Sequence, residues 1–127
     1  MKTVKLLFVL FAIVNFATVS AENTAKADLG PMNYDASGTM PCSVGDESFD
    51  GTCGWRVLRK DGGGAELWIS NIAVNDRPAY RVLTFSEGEF SDRDGGAIEV
   101  AKEADMWTLT IDDREHYRFP DAVITGG

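Results

Sequence analysis

Hydrophobic and polar residues alternate along a series of short stretches from Trp55 to the end of the chain. These stretches begin about ten residues apart, and residues that favour turns separate them. In order they are WRVLRK, AELWIS, AYRVLTF, AIEVA, MWTLTI and HYRF. The pattern predicts an all-β fold, a small single-domain antiparallel meander or barrel of about six strands.

The segments around these stretches are less regular. The sequence DGGG at 61–64 predicts a hairpin turn, because glycine readily adopts a positive φ. The residues from Asn75 to Pro78 predict another turn. YDASGTMPC, residues 34–42, fits either a short first strand or an extended arm, and FSDRDGG, residues 90–96, predicts a longer acidic loop.

The C-terminal sequence HYRFPDAVITGG predicts a strand followed by a short apolar cover. Tyr117 and Phe119 lie on the same face of that strand, so we expect both in the core. Pro120 cannot donate to a β ladder and should end the strand. Val123 and Ile124 are expected to fold back over an open end or edge of the sheet, with one helical turn that begins at the proline.

The N-terminal segment has the features of a secretory signal peptide. Lys2 and Lys5 are followed by an apolar run and then by the small-residue cleavage sequence VSA at residues 19–21. The apolar run is well short of the roughly 20 residues that span a bilayer. We expect residues 1–21 to be this signal, residues 22–33 a flexible lead-in and residues 34–127 the β domain. The protein is then exported, periplasmic or secreted, with no membrane anchor after cleavage.

The cysteine content predicts one disulfide. Cys42 and Cys53 are the two cysteines of the chain, and an even count in an exported domain is typical of disulfide bonding. Closing the loop between them should contribute about 3 kcal/mol. A redox pair would normally be C-x-x-C, and a zinc site would need two further ligands where His116 is the only histidine. We therefore prefer a structural disulfide.

The charge of the chain restricts its partners. With 20 acidic and 12 basic residues, the net charge is −8. Removal of residues 1–21 would remove two lysines and no acid, which leaves a net charge of −10. Nucleic acid and anionic membrane surfaces need clustered cations, so both are poor partners, and we expect no nucleic-acid binding. A cationic protein, a cationic peptide or a metal ion suits this charge better, and the oligomeric state stays open.

No residue set points to catalysis or cofactor binding. A Ser-His-Asp arrangement would have to use His116, but the sequence has no G-x-S-x-G nucleophile motif. His116 is therefore expected to be a partly exposed strand residue. SDRDGG at 91–96 and DESFDG at 46–51 place acids beside a glycine but lack the full calcium-loop pattern. Their acids are interpreted as solvated loop charges. No catalytic, cofactor-binding or metal-ligating residue is assigned.

Trp68 and the loop acids form a candidate interaction surface. The strand neighbours of Trp68 should face the core, so its ring should face the other side, where it marks an interface or lies under the disulfide loop. We favour the covered position. The acidic loops 46–50, 87–94 and 112–115 are expected to steer a cationic partner. The candidate surface residues are Trp68, Asp92, Asp94, Asp112 and Asp113.

Several segments resemble a group of small exported proteobacterial proteins. HYRFPDAVITGG is similar to their ending, a tyrosine strand followed by Ile-Pro-Asp-Ala-Val-Ile and glycine. YDASGTMPC, CGWRVLRKDGGGAELWI and RVLTFSEGE resemble their two cysteine segments and an Arg-x-Leu-x-Phe strand. The similarity extends over about residues 34–127, with two departures, His116 for an arginine and VNDRPA for a Pro-Asp-Gly hairpin. It implies a folded, exported, disulfide-bearing domain and supplies no catalytic residue.

The sequence favours a non-enzymatic binding or interaction module for a cationic protein partner. A narrower version is an acidic inhibitor of a cationic secreted enzyme. The alternative is a small carboxylate-based enzyme that acts on extracytoplasmic glycans. An enzyme should have a deep pocket lined by acids, whereas a binding module should have a flat or convex patch.

Overall fold

The computed structural model describes residues 33–74 and 80–127. These residues contain eight strands. They are β1 Ala36–Val44, β2 Gly51–Arg59, β3 Ala65–Ser70, β4 Tyr80–Ser86, β5 Glu89–Asp92, β6 Ile98–Glu103, β7 Met106–Ile111 and β8 Glu115–Pro120. A short helix, α1, spans Ala122–Thr125, and a 3₁₀ turn spans Asp61–Gly63. Both Gly62 and Gly63 have a positive φ, as predicted for the hairpin between β2 and β3.

Three predictions fall outside the described residues: the signal peptide, all but the last residue of the lead-in, and the turn from Asn75 to Pro78. Within residues 33–74 and 80–127, no helix has the length and apolarity needed to cross a membrane.

The strands form an antiparallel meander that nearly closes into a barrel. Each strand pairs with the next one along the chain from β1 to β5 and again from β6 to β8. β1 also pairs with β8, where Cys42 lies opposite Tyr117. The sheet order is β5-β4-β3-β2-β1-β8-β7-β6, so β5 and β6 are its edges. The all-β prediction is confirmed, but the strand count is eight rather than about six.

The two additional strands are β1 and β5, whose inward residues hide the alternation. In β1, the inward positions include Ala36 and Gly38, which are too small to stand out as core residues. In β5, the inward Phe90 is followed by Asp92, whose side chain is 0% exposed. An acid at a core position breaks the apolar pattern, so the stretch 90–96 was predicted as a loop although it contains three of the four residues of β5.

The barrel has two ends, which we name by their contents. In an antiparallel meander, alternate connections lie at the same end. The polar end is formed by the connections β1–β2, β3–β4, β5–β6 and β7–β8. Their described residues are, in the same order, 45–50, 71–74, 93–97 and 112–114. The tail end is formed by the remaining connections and the C-terminal segment.

Apolar side chains fill the barrel and close its tail end. Phe85, Phe90, Trp107 and Phe119 form a cluster of rings with centroids 4.8 to 6.0 Å apart. Such offset and edge-on ring contacts stabilise a core beyond the area that they bury. The cluster joins strands from both halves of the sheet, including the edge strand β5.

The C-terminal segment covers this end as predicted. Tyr117 and Phe119 are 0% and 1% exposed, and Val123 and Ile124 in α1 are 5% and 2% exposed. Nη2 of Arg59 donates hydrogen bonds to the main-chain carbonyls of Ala122 and Val123 in α1, at 3.2 and 3.1 Å. The tail is therefore part of the core.

Cys42 and Cys53 form a disulfide between β1 and β2, which confirms the predicted pairing. Both residues are inside the barrel, 3% and 2% exposed. The bridge is compatible with an oxidising location outside the cytoplasm.

Candidate functional site

A buried ion network occupies the polar end of the barrel. Arg81, near the start of β4, points inward; its Nε donates to Oε1 of Glu115 on β8 at 3.2 Å. Its Nη2 donates to the second oxygen of Glu115, and its Nη1 donates to Asp92 at the end of β5. Arg81 and Glu115 are 2% and 1% exposed. One guanidinium is thus held between two carboxylates from separate strands.

Neutral groups complete the network. The hydroxyl of Tyr117 donates to Oε1 of Glu115 at 2.7 Å, and Nδ2 of Asn71 donates to the Tyr117 hydroxyl at 3.1 Å. Main-chain N–H groups of the β5–β6 connection donate to the two oxygens of Asp92, at 3.2 and 2.9 Å. Each oxygen of the two carboxylates therefore has a donor, which is the condition for keeping charges in a protein interior.

The guanidinium of Arg81 remains charged in this environment. Burial alone would lower the pKa of Arg81, because it disfavours the ionised form. The hydrogen bond and negative charge of Glu115, followed by those of Asp92, outweigh burial and raise the pKa of Arg81. Asp112 is a more distant carboxylate, 3.9 Å from Nη2, and its side chain is 52% exposed. The arrangement is a buried ion network.

Gly96 closes the network from the side of the β5–β6 connection. A Cβ at this position would lie 2.5 Å from Oδ2 of Asp92 and 2.9 Å from Cγ2 of Ile111. Only a residue without a side chain lets the main chain approach so closely. Gly96, interpreted above as part of a loop, is therefore a packing requirement of the buried ions, whereas Gly95 has no atom within 4 Å of a Cβ and has a positive φ of 82°.

The structure corrects the prediction for Asp92. This residue was expected among solvated loop acids and on the candidate interaction surface, but its side chain is 0% exposed because it binds Arg81 inside the barrel. It is not available to steer a partner. Within the described part of the chain, no group of three or more His, Cys, Asp or Glu side chains is arranged to hold a metal ion.

The other candidate acids lie on connections at the polar end. Asp94 is exposed, with Oδ1 3.7 Å from Nε of Arg93. Asp112 accepts the N–H of Ala97 at 2.9 Å, which ties the β7–β8 connection to the start of β6. Asp113 is exposed. Asp113 and Asp94 therefore remain surface charges, whereas Asp112 also has a structural contact.

Trp68 lies on the outer wall of β3. Its Nε1 donates to Glu66 at 2.6 Å, and the edge of its ring contacts Tyr80 with centroids 5.6 Å apart. The guanidinium of Arg93 lies 5.3 Å from the ring centroid. Trp68 is half-buried, as favoured, but its cover comes from these neighbours rather than from the disulfide loop. Because Asp92 is buried, the five candidate residues do not form one exposed surface.

His116 is held on the outer face of β8 and is more buried than expected. Nε2 donates to the carbonyl of Gly45 at 2.8 Å, and Nδ1 lies 3.0 Å from the hydroxyl of Thr110. Phe49, in the β1–β2 connection, covers it with an edge-on ring contact. The prediction of partial exposure is wrong, since His116 is 4% exposed. Both ring nitrogens have partners, so the side chain has a structural role.

The exposed charge of the polar end is mostly negative, since six acids outnumber the exposed Arg93, and it forms an acidic rim around the buried ions. Its described exposed acids are Asp46, Glu47, Asp50, Asp94, Asp112 and Asp113. The three predicted steering loops do not share this end. Glu87 and Glu89 lie at the tail end, in the β4–β5 hairpin, and Glu115 is buried. The predicted loop 46–50 and the first part of loop 112–115 belong to the rim.

Sequence reasoning missed Arg81, Glu115 and Asn71 as members of a site. The alternation of the strands does point to two of them. Arg81 lies two residues before Leu83 in β4, and Glu115 lies two residues before Tyr117 in β8, so each shares the inward face of its strand. A charged residue at an inward position of a predicted strand requires an opposite charge nearby. The two strands are far apart in the sequence, so the pairing itself was not predictable.

No family model, curated protein or solved structure matches this chain. The resemblance to exported proteobacterial proteins therefore stays a prediction.

Proposed function

We propose that this chain is an exported, non-enzymatic binding module whose acidic rim receives a cationic protein or peptide. The observation that supports the proposal is the separation of charges at the polar end. Arg81 lies between two buried carboxylates, whose two charges exceed its own, and the one rim acid that it approaches is Asp112, at 3.9 Å. The rim therefore has a negative electrostatic potential, which attracts a cationic partner.

The interior of the barrel does not favour an enzyme. A glycosidase needs two carboxyl groups that face a substrate at a set separation. Asp92 and Glu115 are the carboxylates that share a partner, and both are bound to Arg81 in the closed interior. The exposed rim acids are distributed over different connections. The carboxylate-based glycan enzyme therefore remains the less supported alternative.

Export to the periplasm or the medium belongs to the same proposal. Two features support it: the signal-like sequence of residues 1–21 and the Cys42–Cys53 disulfide, which is compatible with an oxidising compartment.

A pair of charge-matched variants tests the binding proposal. Partners are first captured at low salt from an extract of the compartment that holds the protein. Association rates are then measured for a rim variant, Asp46→Asn with Glu47→Gln and Asp113→Asn. The matched control removes the same charge at the tail end, with Glu89→Gln, Glu103→Gln and Asp105→Asn.

We expect the rim variant to associate about tenfold more slowly at low ionic strength, and the control to change much less. The difference between the variants should shrink as salt screens the rim. Equal rates for the two variants, or an association rate that is indifferent to salt, would contradict the proposal.

A further inference from the structure

A glycine in the middle of β2 has no packing reason to be a glycine. Gly54 lies in the interior of a central strand, where glycine weakens the sheet. A Cβ built on it has the carbonyl oxygen of Gly38 as its nearest atom, at 4.0 Å, so a side chain would fit. Gly38 itself is explained by packing, because its Cβ would lie 2.9 Å from the ring of Trp55. Gly54 thus keeps a space open on the outer wall.

That space is the floor of a shallow groove across four strands. The register places Thr39, Gly54, Ser70 and Tyr80 in one row over β1 to β4. Neighbouring strands lie about 4.8 Å apart, so the row is about 14 Å long. The groove has a volume of about 380 Å³. Its other lining side chains include Tyr34, Ser37 and Arg56.

The lining has the chemistry of a sugar-binding surface. The lining combines the rings of Tyr34 and Tyr80 with the hydroxyls of Ser37, Thr39 and Ser70, and Gly54 leaves main chain at the floor. Among the described lining residues there is no carboxylate, although the chain carries a net charge of −8. The same residues include no Leu, Ile, Val or Met, and their apolar area comes mainly from the rings of Tyr34, Trp55 and Tyr80. Aromatic faces and hydroxyl groups together suit the alternating apolar faces and hydroxyls of pyranose rings.

Each tyrosine ring has a side-chain neighbour that restricts its motion before any ligand arrives. Tyr80 rests edge-on against Trp68, at a centroid distance of 5.6 Å and an interplanar angle of 70°. Tyr34 is 44% exposed and has the guanidinium of Arg56 5.2 Å from its centroid. Fixed rings lower the entropy lost on binding. Trp68 then acts as a positioning residue behind Tyr80.

We propose that this groove binds a linear oligosaccharide, with one pyranose ring over Gly54 and its neighbours against Tyr34 and Tyr80. The site is on the outer wall of β1 to β4, apart from the acidic rim, and it does not depend on a protein partner at the polar end.

The test fills the groove without disturbing the core. In Gly54→Leu the new side chain occupies the floor, whereas Thr84→Leu adds a similar side chain at an exposed position of the same wall, outside the groove. The whole chain is titrated with cellohexaose, chitohexaose, an oligogalacturonate and poly-glutamate, by calorimetry and tryptophan fluorescence. Tyr34→Ala is a second variant that removes an exposed ring and so stays informative if Gly54→Leu fails to fold.

We expect saturable binding of at least one of the three oligosaccharides. Gly54→Leu or Tyr34→Ala should weaken that binding by about tenfold or more, and Thr84→Leu should leave it unchanged. Absence of saturable binding to all three sugars would overturn the proposal. Undiminished binding in folded Gly54→Leu and Tyr34→Ala, or binding of poly-glutamate alone, would also overturn it.

Discussion

The two ends of the barrel are closed by different physical means. At the tail end, Phe119 and Ile124 are 1% and 2% exposed and pack among other apolar groups. At the polar end, closure depends on Arg81 between Asp92 and Glu115. The tail end is stabilised by the burial of apolar surface, and this hydrophobic contribution does not depend on the orientation of the groups. The polar end is stabilised only while opposite charges stay matched in position.

This difference has a consequence for the open seam of the sheet. β5 and β6 have no ladder between them, so other contacts must hold the seam. At the tail end, Phe90 of β5 packs against Trp107 of β7 with centroids 5.0 Å apart. At the polar end, Asp92 of β5 is tied through Arg81 to β8. The barrel is therefore closed across its seam by a ring cluster at one end and by ions at the other.

The sharpest test of this comparison is Arg81→Met, for which we expect the largest effect. The substitution leaves two buried carboxylates without a cation, and breaking a buried pair in this way typically costs about 3–5 kcal/mol. Urea unfolding at neutral pH, followed by tryptophan fluorescence, measures the loss. The matched control is Arg93→Met on the exposed side of the same end, where the loss should stay below about 1 kcal/mol.

A triple variant separates unmatched charge from lost volume. Arg81→Met combined with Asp92→Asn and Glu115→Gln removes the charges together, and stability should recover in part relative to Arg81→Met alone. If Arg81→Met unfolds at the same urea concentration as the unaltered protein, the ions are not what closes the polar end.

The tail end should respond to Ile124→Ala with a loss of about 2–5 kcal/mol, toward the lower limit because a terminal helix relaxes around a cavity more easily than a strand does. Thermal unfolding measures this change. Thr125→Ala, in the same helix but exposed, is the control and should have little effect. Equal melting temperatures for the two variants would mean that α1 is an appendage.

The tail end is the part of the molecule that the sequence predicted well. Its inward residues are large and apolar, so the alternation in MWTLTI and HYRF identifies them directly. Pro120 marks the end of β8, and the apolar residues after it have no other place to be buried. Local pattern and tertiary packing agree at this end, and Tyr117, Phe119, Val123 and Ile124 are buried as predicted.

The polar end could not be derived in the same way. Asp92 and Glu115 look like surface acids in a sequence with 20 acidic residues. Their burial depends on Arg81, which comes close only when the barrel forms. The groove over Gly54 was missed for a related reason, because its lining residues come from β1 to β4 and its floor has no side chain. Both features arise from the register between strands, which alternation alone does not give.

The smallest expected effect concerns calcium at the polar end. The sequence SDRDGG offers Asp92 and Asp94 as ligands, but both oxygens of Asp92 already accept hydrogen bonds from Arg81 or from main-chain N–H groups. Calcium would have to displace a buried guanidinium and prefers six to eight oxygen ligands. We therefore expect the melting temperature to be unchanged by millimolar calcium, with magnesium as the control for nonspecific charge screening. A calcium-specific rise in melting temperature that Asp94→Asn abolishes would show that the rim binds metal and that the polar end is held by more than its buried ions.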